Sequence, residues 1–160
     1  MKIILITLIF FCCNMAKAEF FQDISSIIDS NKERLSYGVS VTDFNKDGNY
    51  EFVVTGFGYP NLALKYMDGR LVNSITDELF LDVKRKTIGV AACDIDQDGF
   101  EEIYFLNTDT YSGVKKYSDR LLDNETNIFD YFEINENFKN LNLTAGRSVV
   151  CVDREGLGKY

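Results

Sequence analysis

The sequence predicts an all-β protein made of repeated antiparallel units, and three observations support this class. A nine-residue acidic motif begins at Asp43 and again, 51 residues later, at Asp94. Each copy lies between short runs rich in β-branched and aromatic residues, which favour strands. The dipeptide Asp68-Gly69 separates two further runs of this kind and is typical of a tight β-hairpin. These features together indicate strand-turn-strand repeats.

The acidic motif places oxygen-bearing side chains at positions 1, 3, 5 and 9 around a glycine at position 6. Carboxylates crowded in this way repel one another unless a cation lies among them, and a hard divalent ion takes roughly 6–8 oxygen ligands. We therefore expect two calcium loops. The expected ligands are the side chains of Asp43, Asn45, Asp47 and Glu51 with the carbonyl of Asn49, and the side chains of Asp94, Asp96, Asp98 and Glu102 with the carbonyl of Phe100.

These loops differ from the helix-flanked EF-hand, which needs a bidentate glutamate at position 12. Position 12 is Val54 in the first copy and Phe105 in the second, and neither side chain can bind a metal ion. The apolar runs that follow each loop predict buried strands, so each loop joins strand to strand. The alternative is an acidic hairpin turn without metal, because Asp, Asn and Gly are ordinary turn formers.

Four segments follow from these patterns. Residues 19–36, with isoleucines at helical spacing, predict one short helix. Residues 37–86 predict four strands, around 39–42, 52–57, 62–67 and 71–75, which form one up-and-down sheet of the kind that makes a propeller blade. Residues 87–145 predict a second blade with strands at 88–93, 103–106 and 114–117, a further strand or loop through Leu121 and Leu122, and a polar insert at 123–140. A third unit begins at Gly146 with a strand at 148–152.

Beyond that strand, the third unit departs from the loop pattern. Aligned on Asp153, it has Glu155 at position 3 but Leu157 at position 5, and leucine cannot bind a metal ion. Metal binding in this third loop is therefore left open. The chain ends before the position-9 acid of this loop, and we expect a truncated, incomplete propeller.

The motif D-x-[DN]-x-D-G-x-x-E between strands resembles the FG-GAP type of repeat in integrin alpha-subunit propellers. The segments at 60–66, 89–107 and 145–153 resemble the N-terminal part of the cartilage acidic protein family. This resemblance covers most of residues 37–160. It implies a secreted, acidic, calcium-dependent β-propeller of the extracellular matrix.

Residues 1–18 predict a signal peptide, with Lys2, an apolar stretch and a small-residue site ending at Ala18. About eleven apolar residues are too few to span a bilayer, which takes roughly 20. Cleavage there removes two lysines and no acid, so the formal charge changes from −8 to −10. An acidic chain of this kind disfavours nucleic acid as a partner, and we expect an extracellular protein or matrix ligand.

Two cysteines and two sequons remain in the mature chain. A disulfide between Cys93 and Cys151 and two free thiols are equally compatible with the sequence, although export favours pairing. The sequons at Asn124 and Asn142 are candidate glycosylation sites, and Asn124 is favoured.

Three functions fit these features. The first is a matrix or adhesion scaffold in which calcium is structural. The second is a propeller attached to an enzyme whose active site lies outside this chain, and the third is a soluble calcium buffer. The chain has no histidine and no phosphate-binding glycine motif, so no catalytic function is predicted for these residues.

Overall fold

The computed structural model describes residues 21–138 and 141–157. These residues form eight strands in two four-stranded antiparallel sheets, with strand orders β1-β2-β3-β4 and β5-β6-β7-β8. The first sheet contains β1 (Val39–Thr42), β2 (Glu51–Val54), β3 (Leu62–Met67) and β4 (Arg70–Asn73). The second contains β5 (Thr87–Cys93), β6 (Glu102–Asn107), β7 (Arg120–Asn124) and β8 (Ile128–Asp130). The all-β class is thus confirmed, and each sheet has the predicted up-and-down order.

Two short helices connect and flank the sheets. Helix α1 (Glu78–Leu81) lies between β4 and β5, and helix α2 (Tyr131–Ile134) follows β8. Asp77 caps α1 by accepting a hydrogen bond from the backbone N–H of Leu79 at 2.8 Å, and Asp130 caps α2 in the same way through Phe132 at 3.0 Å. These caps satisfy backbone donors that a helix start leaves free.

One hydrophobic core joins the two sheets. Phe80 of α1 is fully buried and packs against Phe44 and Phe105, with ring centroids 5.8 and 5.4 Å away. The remaining buried members come from both sheets: Val53, Ala63, Ile75, Val90, Ile103 and Leu122. A face of the first sheet therefore packs on a face of the second.

Gly38 and Gly89 lie where the two sheets meet most closely. Gly38 directly precedes β1 and Gly89 lies within β5, and a Cβ atom built on Gly38 would lie 3.1 Å from the Gly89 Cα. A side chain at Gly38 would crowd the Gly89 backbone, so glycine favours this close approach of the two sheets. The glycine that occurs at the same position before both acidic motifs therefore has a packing role.

The opposite face of the second sheet contacts the segment at 146–152. Cys93, the last residue of β5, forms a disulfide with Cys151, with 6.2 Å between their Cα atoms. A Cβ on Gly146 would lie within 2.7 Å of a methyl group of Leu106. The disulfide and this close contact attach the segment to the second sheet.

Several predicted elements are wrong. The lead segment, for which the sequence predicts one short helix, forms only a single 3₁₀ turn, Ser25–Ile27. No strand forms at 114–117 or at 148–152 within the described residues. The expected insert at 123–140 instead contains the end of β7, all of β8 and helix α2.

The lead segment adds to the outer edge of the first sheet. Ile28 forms a parallel bridge with Leu71 of β4, and the backbone N–H of Asp29 donates to the Leu71 carbonyl at 2.8 Å. This contact covers part of an edge strand. The predicted signal peptide lies outside the described residues, and no helix among those described is long and apolar enough to cross a membrane.

Candidate metal loops

The first acidic loop connects β1 to β2 and is held by its own side chains. Asp43 accepts a hydrogen bond from the backbone N–H of Gly48 at 2.8 Å through Oδ2. Asn45 Oδ1 accepts from the N–H of Asp47 at 3.1 Å, and Asp47 Oδ1 accepts from the N–H of Asn49 at 3.0 Å. The chain thus turns around its acidic side chains.

The second loop, between β5 and β6, repeats this pattern. The N–H of Gly99 donates to Asp94 Oδ2 at 3.0 Å. The N–H of Asp98 donates to Asp96 Oδ1 at 3.1 Å, and the N–H of Phe100 donates to Asp98 Oδ1 at 2.8 Å. Equivalent positions of the motif therefore make equivalent bonds in both loops.

Left-handed backbone conformations occur at the same two positions of each loop. Position 4 has φ of 58° at Lys46 and 66° at Gln97, and position 6 has φ of 83° at Gly48 and 92° at Gly99. Glycine adopts this conformation without steric cost, which explains its place in both motifs.

The glutamate at position 9 is the buried acid of each loop. Glu51 is fully buried and Glu102 is 1% exposed, since each begins a strand and points into the protein. Glu51 Oε1 accepts from Asn45 Nδ2 at 2.9 Å, and Glu102 Oε2 accepts from the N–H of Ile95 at 2.6 Å. The other oxygen of each carboxylate is buried without a hydrogen-bond partner, as is Asp94 Oδ1.

Burial raises the pKa of both glutamates. The pKa of Glu51 is raised to about 7, first by loss of solvent and then by the charge of Asp47. The pKa of Glu102 is also raised by burial, and the charges of Asp96, Asp123 and Asp98 add to the effect. A nearby cation would stabilise the ionised form of each of these carboxylates.

Asp94, Asp96 and Glu102 converge in the second loop, where one oxygen of each lies within 4.8 Å of the others. In the first loop the structure brings Asn45 and Glu51 into contact and places Asp43 and Asp47 around the same turn. Asp98 and Asp47, at position 5, are exposed. The oxygen-only donor set and the unpartnered buried oxygens fit a hard divalent cation such as Ca²⁺.

Four neighbouring side chains were not anticipated from the sequence. Lys65 of β3 pairs with Asp47, and the Lys46 ammonium lies 3.2 Å from Asp98 Oδ2 and 4.4 Å from the centre of the Phe100 ring. The Tyr131 hydroxyl lies 3.1 Å from Asp96 Oδ2 and 3.2 Å from an oxygen of Asp123. Lys65 and Asp123 reach the loops by strand pairing, Tyr131 from helix α2, and Lys46 from the first loop across to the second. Motif spacing gave no signal for these contacts.

The two candidate glycosylation sites differ in their surroundings. Asn124 is half-buried, whereas Asn142 is exposed. In the degenerate third loop, Asp153 Oδ1 accepts from the N–H groups of Glu155 and Gly156 at 3.1 and 2.7 Å. The position-5 residue of that loop, Leu157, is 64% exposed and offers no side-chain oxygen.

Two antiparallel sheets, each carrying the same acidic turn after its first strand, define an all-β repeat protein. Residues 21–105 match the FG-GAP-like repeat family, and the chain belongs to it. The resemblance to cartilage acidic protein is also confirmed. The chain is 46% identical to "Cartilage acidic protein 1" of Xenopus tropicalis, 48% to that of Homo sapiens and 47% to that of Mus musculus, each over 144 residues. Each comparison covers 82% of this chain but only 22% of the relative.

Proposed function

We propose that the two acidic loops bind Ca²⁺ and that the ion stabilises the sheets. The observation that carries this proposal is the pair of buried, unpartnered carboxylate oxygens on Glu51 and Glu102. A buried charge without a partner costs several kcal/mol in a folded protein, on the order of the cost of a broken buried ion pair. A cation held among the loop oxygens would remove this cost.

Each ion would be held by one loop. In the first, the side chains of Asp43, Asn45, Asp47 and Glu51 and the carbonyl of Asn49 would provide the oxygens. In the second, these would come from Asp94, Asp96, Asp98, Glu102 and the carbonyl of Phe100. Since each loop joins neighbouring strands, the ion would hold β1 to β2 or β5 to β6. It would supply charge neutralisation and no chemical reaction.

The two sheets are proposed to be the opening blades of a β-propeller that acts as a secreted binding scaffold of the extracellular matrix. Support comes from the up-and-down order of both sheets, their face-to-face packing, and the likeness to proteins named for cartilage and for their acidity. The net charge of −8 suits cations or basic partners. Calcium loops of extracellular modules have dissociation constants of roughly 10⁻⁴–10⁻³ M, which suits a structural ion better than a buffer.

Thermal unfolding with and without calcium tests the calcium proposal. The secreted full chain is melted in calcium, in magnesium and in chelator. At 100 times the dissociation constant, each site should add about 2.7 kcal/mol to the free energy of unfolding. Magnesium should add less, because it needs near-ideal octahedral geometry.

Substitutions in one loop test whether the stabilisation by calcium comes from the acidic loops. The double change Asp94→Ala and Asp96→Ala should abolish the contribution of the second loop. Asp109→Ala removes an exposed acid from the β6–β7 connection, at the other end of the sheet, and should keep the full calcium effect. Equal melting temperatures in calcium and chelator for the unchanged chain would exclude structural calcium.

A further inference from the structure

We propose that the two loops are unequal calcium sites, because strand β7 adds Asp123 to the second loop where strand β3 places Lys65 at the first. The second loop should bind Ca²⁺ more tightly. This inference rests on the proposed calcium function and concerns residues outside the nine-residue motif.

The register of the two sheets makes Lys65 and Asp123 structural equivalents. Glu51 of β2 lies opposite Lys65 of β3. In the second sheet Ile103 lies opposite Leu122, and one further step along the same antiparallel register places Glu102 opposite Asp123. The position beside the buried glutamate is therefore cationic in one sheet and anionic in the other.

Lys65 already occupies part of the first loop. Its ammonium forms an ion pair with Asp47 Oδ2, and the lysine side chain is only 15% exposed. The hydrogen bond from Lys65 holds the pKa of Asp47 at about 2, with a further contribution from Asn49. A calcium ion in this loop must compete with the ammonium group for the Asp47 carboxylate.

Asp123 brings an additional negative charge to the second loop. It is 1% exposed, and its Oδ1 accepts from the N–H of Asn124. Its Oδ2 shares the Tyr131 hydroxyl with Asp96 Oδ2, at 3.2 and 3.1 Å. A hydroxyl has one proton to donate, so it can satisfy only one of these two carboxylates at a time. A cation beside them would satisfy the other.

An independent observation points to a ligand at this position. Glu102 Oε1 is buried without a partner in a residue that is 1% exposed, and an oxygen of Glu102 lies within 4.8 Å of Asp94 and Asp96 oxygens. Asp123 also contributes to the raised pKa of Glu102, after burial and the charge of Asp96. The cluster is thus short of positive charge.

The charge balance differs between the loops. The first has three acids, Asp43, Asp47 and Glu51, and the lysine at 65. The second has four acids, Asp94, Asp96, Asp98 and Glu102, and the aspartate at 123. Lys46 is the cation that reaches the second loop in the described residues, and it pairs with the exposed Asp98. Because the charge of the donor set tunes calcium affinity, we expect a difference of about tenfold or more.

Calorimetric titration of the full chain with CaCl₂ tests this. Asp94→Ala leaves the first loop as the single site, and Asp43→Ala leaves the second. The Asp43→Ala protein should bind calcium about tenfold more tightly than the Asp94→Ala protein. Adding Asp123→Asn to the Asp43→Ala background should weaken binding several-fold. Adding Lys65→Met to the Asp94→Ala background should strengthen it.

Crossed variants act as controls, and Asp109→Asn provides the same charge loss at the other end of the second sheet. Asp123→Asn should not change the first site, and Lys65→Met should not change the second. If Asp123→Asn lowers the yield of folded protein, the affinity measured with Lys65→Met still tests the inference, since Lys65 lies in the first sheet. Equal affinities of the two sites, or no response to either substitution, would overturn this inference. Absence of any calcium binding by the unchanged chain would instead overturn the proposed function.

Discussion

Asn124 donates a hydrogen bond from Nδ2 to the carbonyl oxygen of Phe44, 2.9 Å away and 80 residues earlier in the chain. The bond joins the end of β7 to position 2 of the first acidic loop. It therefore connects the second sheet to the loop of the first. The same nitrogen would carry the glycan if the sequon at Asn124 were used.

This contact leads to a prediction about glycosylation. We expect carbohydrate at Asn142, which is exposed, and none at Asn124, although the sequence favoured Asn124. Thr126→Ala and Thr144→Ala each destroy one sequon and keep both asparagines. Mass analysis of secreted protein should show a loss of mass for Thr144→Ala alone. A loss for Thr126→Ala would contradict the prediction. The same spectra report whether the mature chain begins at Glu19.

The disulfide between Cys93 and Cys151 should contribute strongly to stability. The bond closes a loop across a sequence separation of 58 residues. A loop of this length corresponds to about 4 kcal/mol in the chain-entropy model. Denaturant unfolding of the Cys93→Ser, Cys151→Ser variant should show a loss of this order. Reductant should destabilise the unchanged chain and leave the variant unaffected, and equal effects on both would contradict this role.

We expect the buried cation Arg120 to contribute strongly to the stability of the second sheet. It is 6% exposed and contacts Asp82 at 3.1 Å, Asp130 at 2.7 Å and Glu133 at 2.9 Å. Arg120→Met removes the ion pair of the buried Asp130, whereas Asp82 and Glu133 keep Arg85 as a partner at 2.9 and 3.3 Å. Breaking this buried pair should cost about 3–5 kcal/mol.

The matched control is Arg70→Met, which breaks the exposed pair between Arg70 and Asp29. An exposed pair contributes about 0–1 kcal/mol. Urea unfolding followed by circular dichroism compares the two variants. Similar losses for both would show that burial of Arg120 does not matter.

In chelator, the stability of the protein should fall as pH rises. The pKa of Glu51 is about 7 in the folded protein and ordinarily 4.5, so between these values the folded state holds more protons than the unfolded state. The stability that Glu51 contributes is fully present below its ordinary pKa of 4.5 and is lost as the pH rises through its folded-state pKa of about 7. The raised pKa of Glu102 acts in the same direction.

Melting temperatures measured in chelator across this pH range check the prediction. Glu51→Gln removes one of the two titrating groups and should make the decline with pH shallower. Saturating calcium should also remove the decline, because an ion stabilises the ionised carboxylate. A profile that rises with pH in chelator would contradict the raised pKa.

The acidic loops and the order of the sheet strands were predictable because local chemistry determines them. Asp, Asn and Gly at fixed positions favour one turn, and the runs beside them favour strands. The strand expected at 114–117 fails for a tertiary reason. Lys115 is buried and donates to the Asn107 carbonyl at 2.8 Å while pairing with Asp119, so the segment is held as a loop. The sheet continues only at Arg120.

The structural equivalence of Lys65 and Asp123 could not be predicted from their spacing along the chain. Lys65 follows its loop glutamate by 14 residues and Asp123 follows its own by 21, because the β6–β7 connection is longer. Only the strand register shows that the two positions are equivalent. Tyr131 reaches the second loop from helix α2, within the stretch that the sequence indicated as a polar insert.

Gly38 and Gly89 allow the two sheets to approach each other closely along one edge of their interface. At these residues the backbones of the two sheets meet with no side chain between them, whereas farther across the interface the rings of Phe44, Phe80 and Phe105 fill the gap. The spacing between the two sheets is therefore smallest at the glycines and larger where the aromatic rings lie between them. A methyl group at Gly38 would lie 3.1 Å from the Gly89 Cα and push the two first strands apart, whereas one at Gly89 would point to Leu106 and Val149 on the other face of its sheet. The hydrogen that Gly38 carries in place of a side chain therefore sets how closely the second sheet can approach the first.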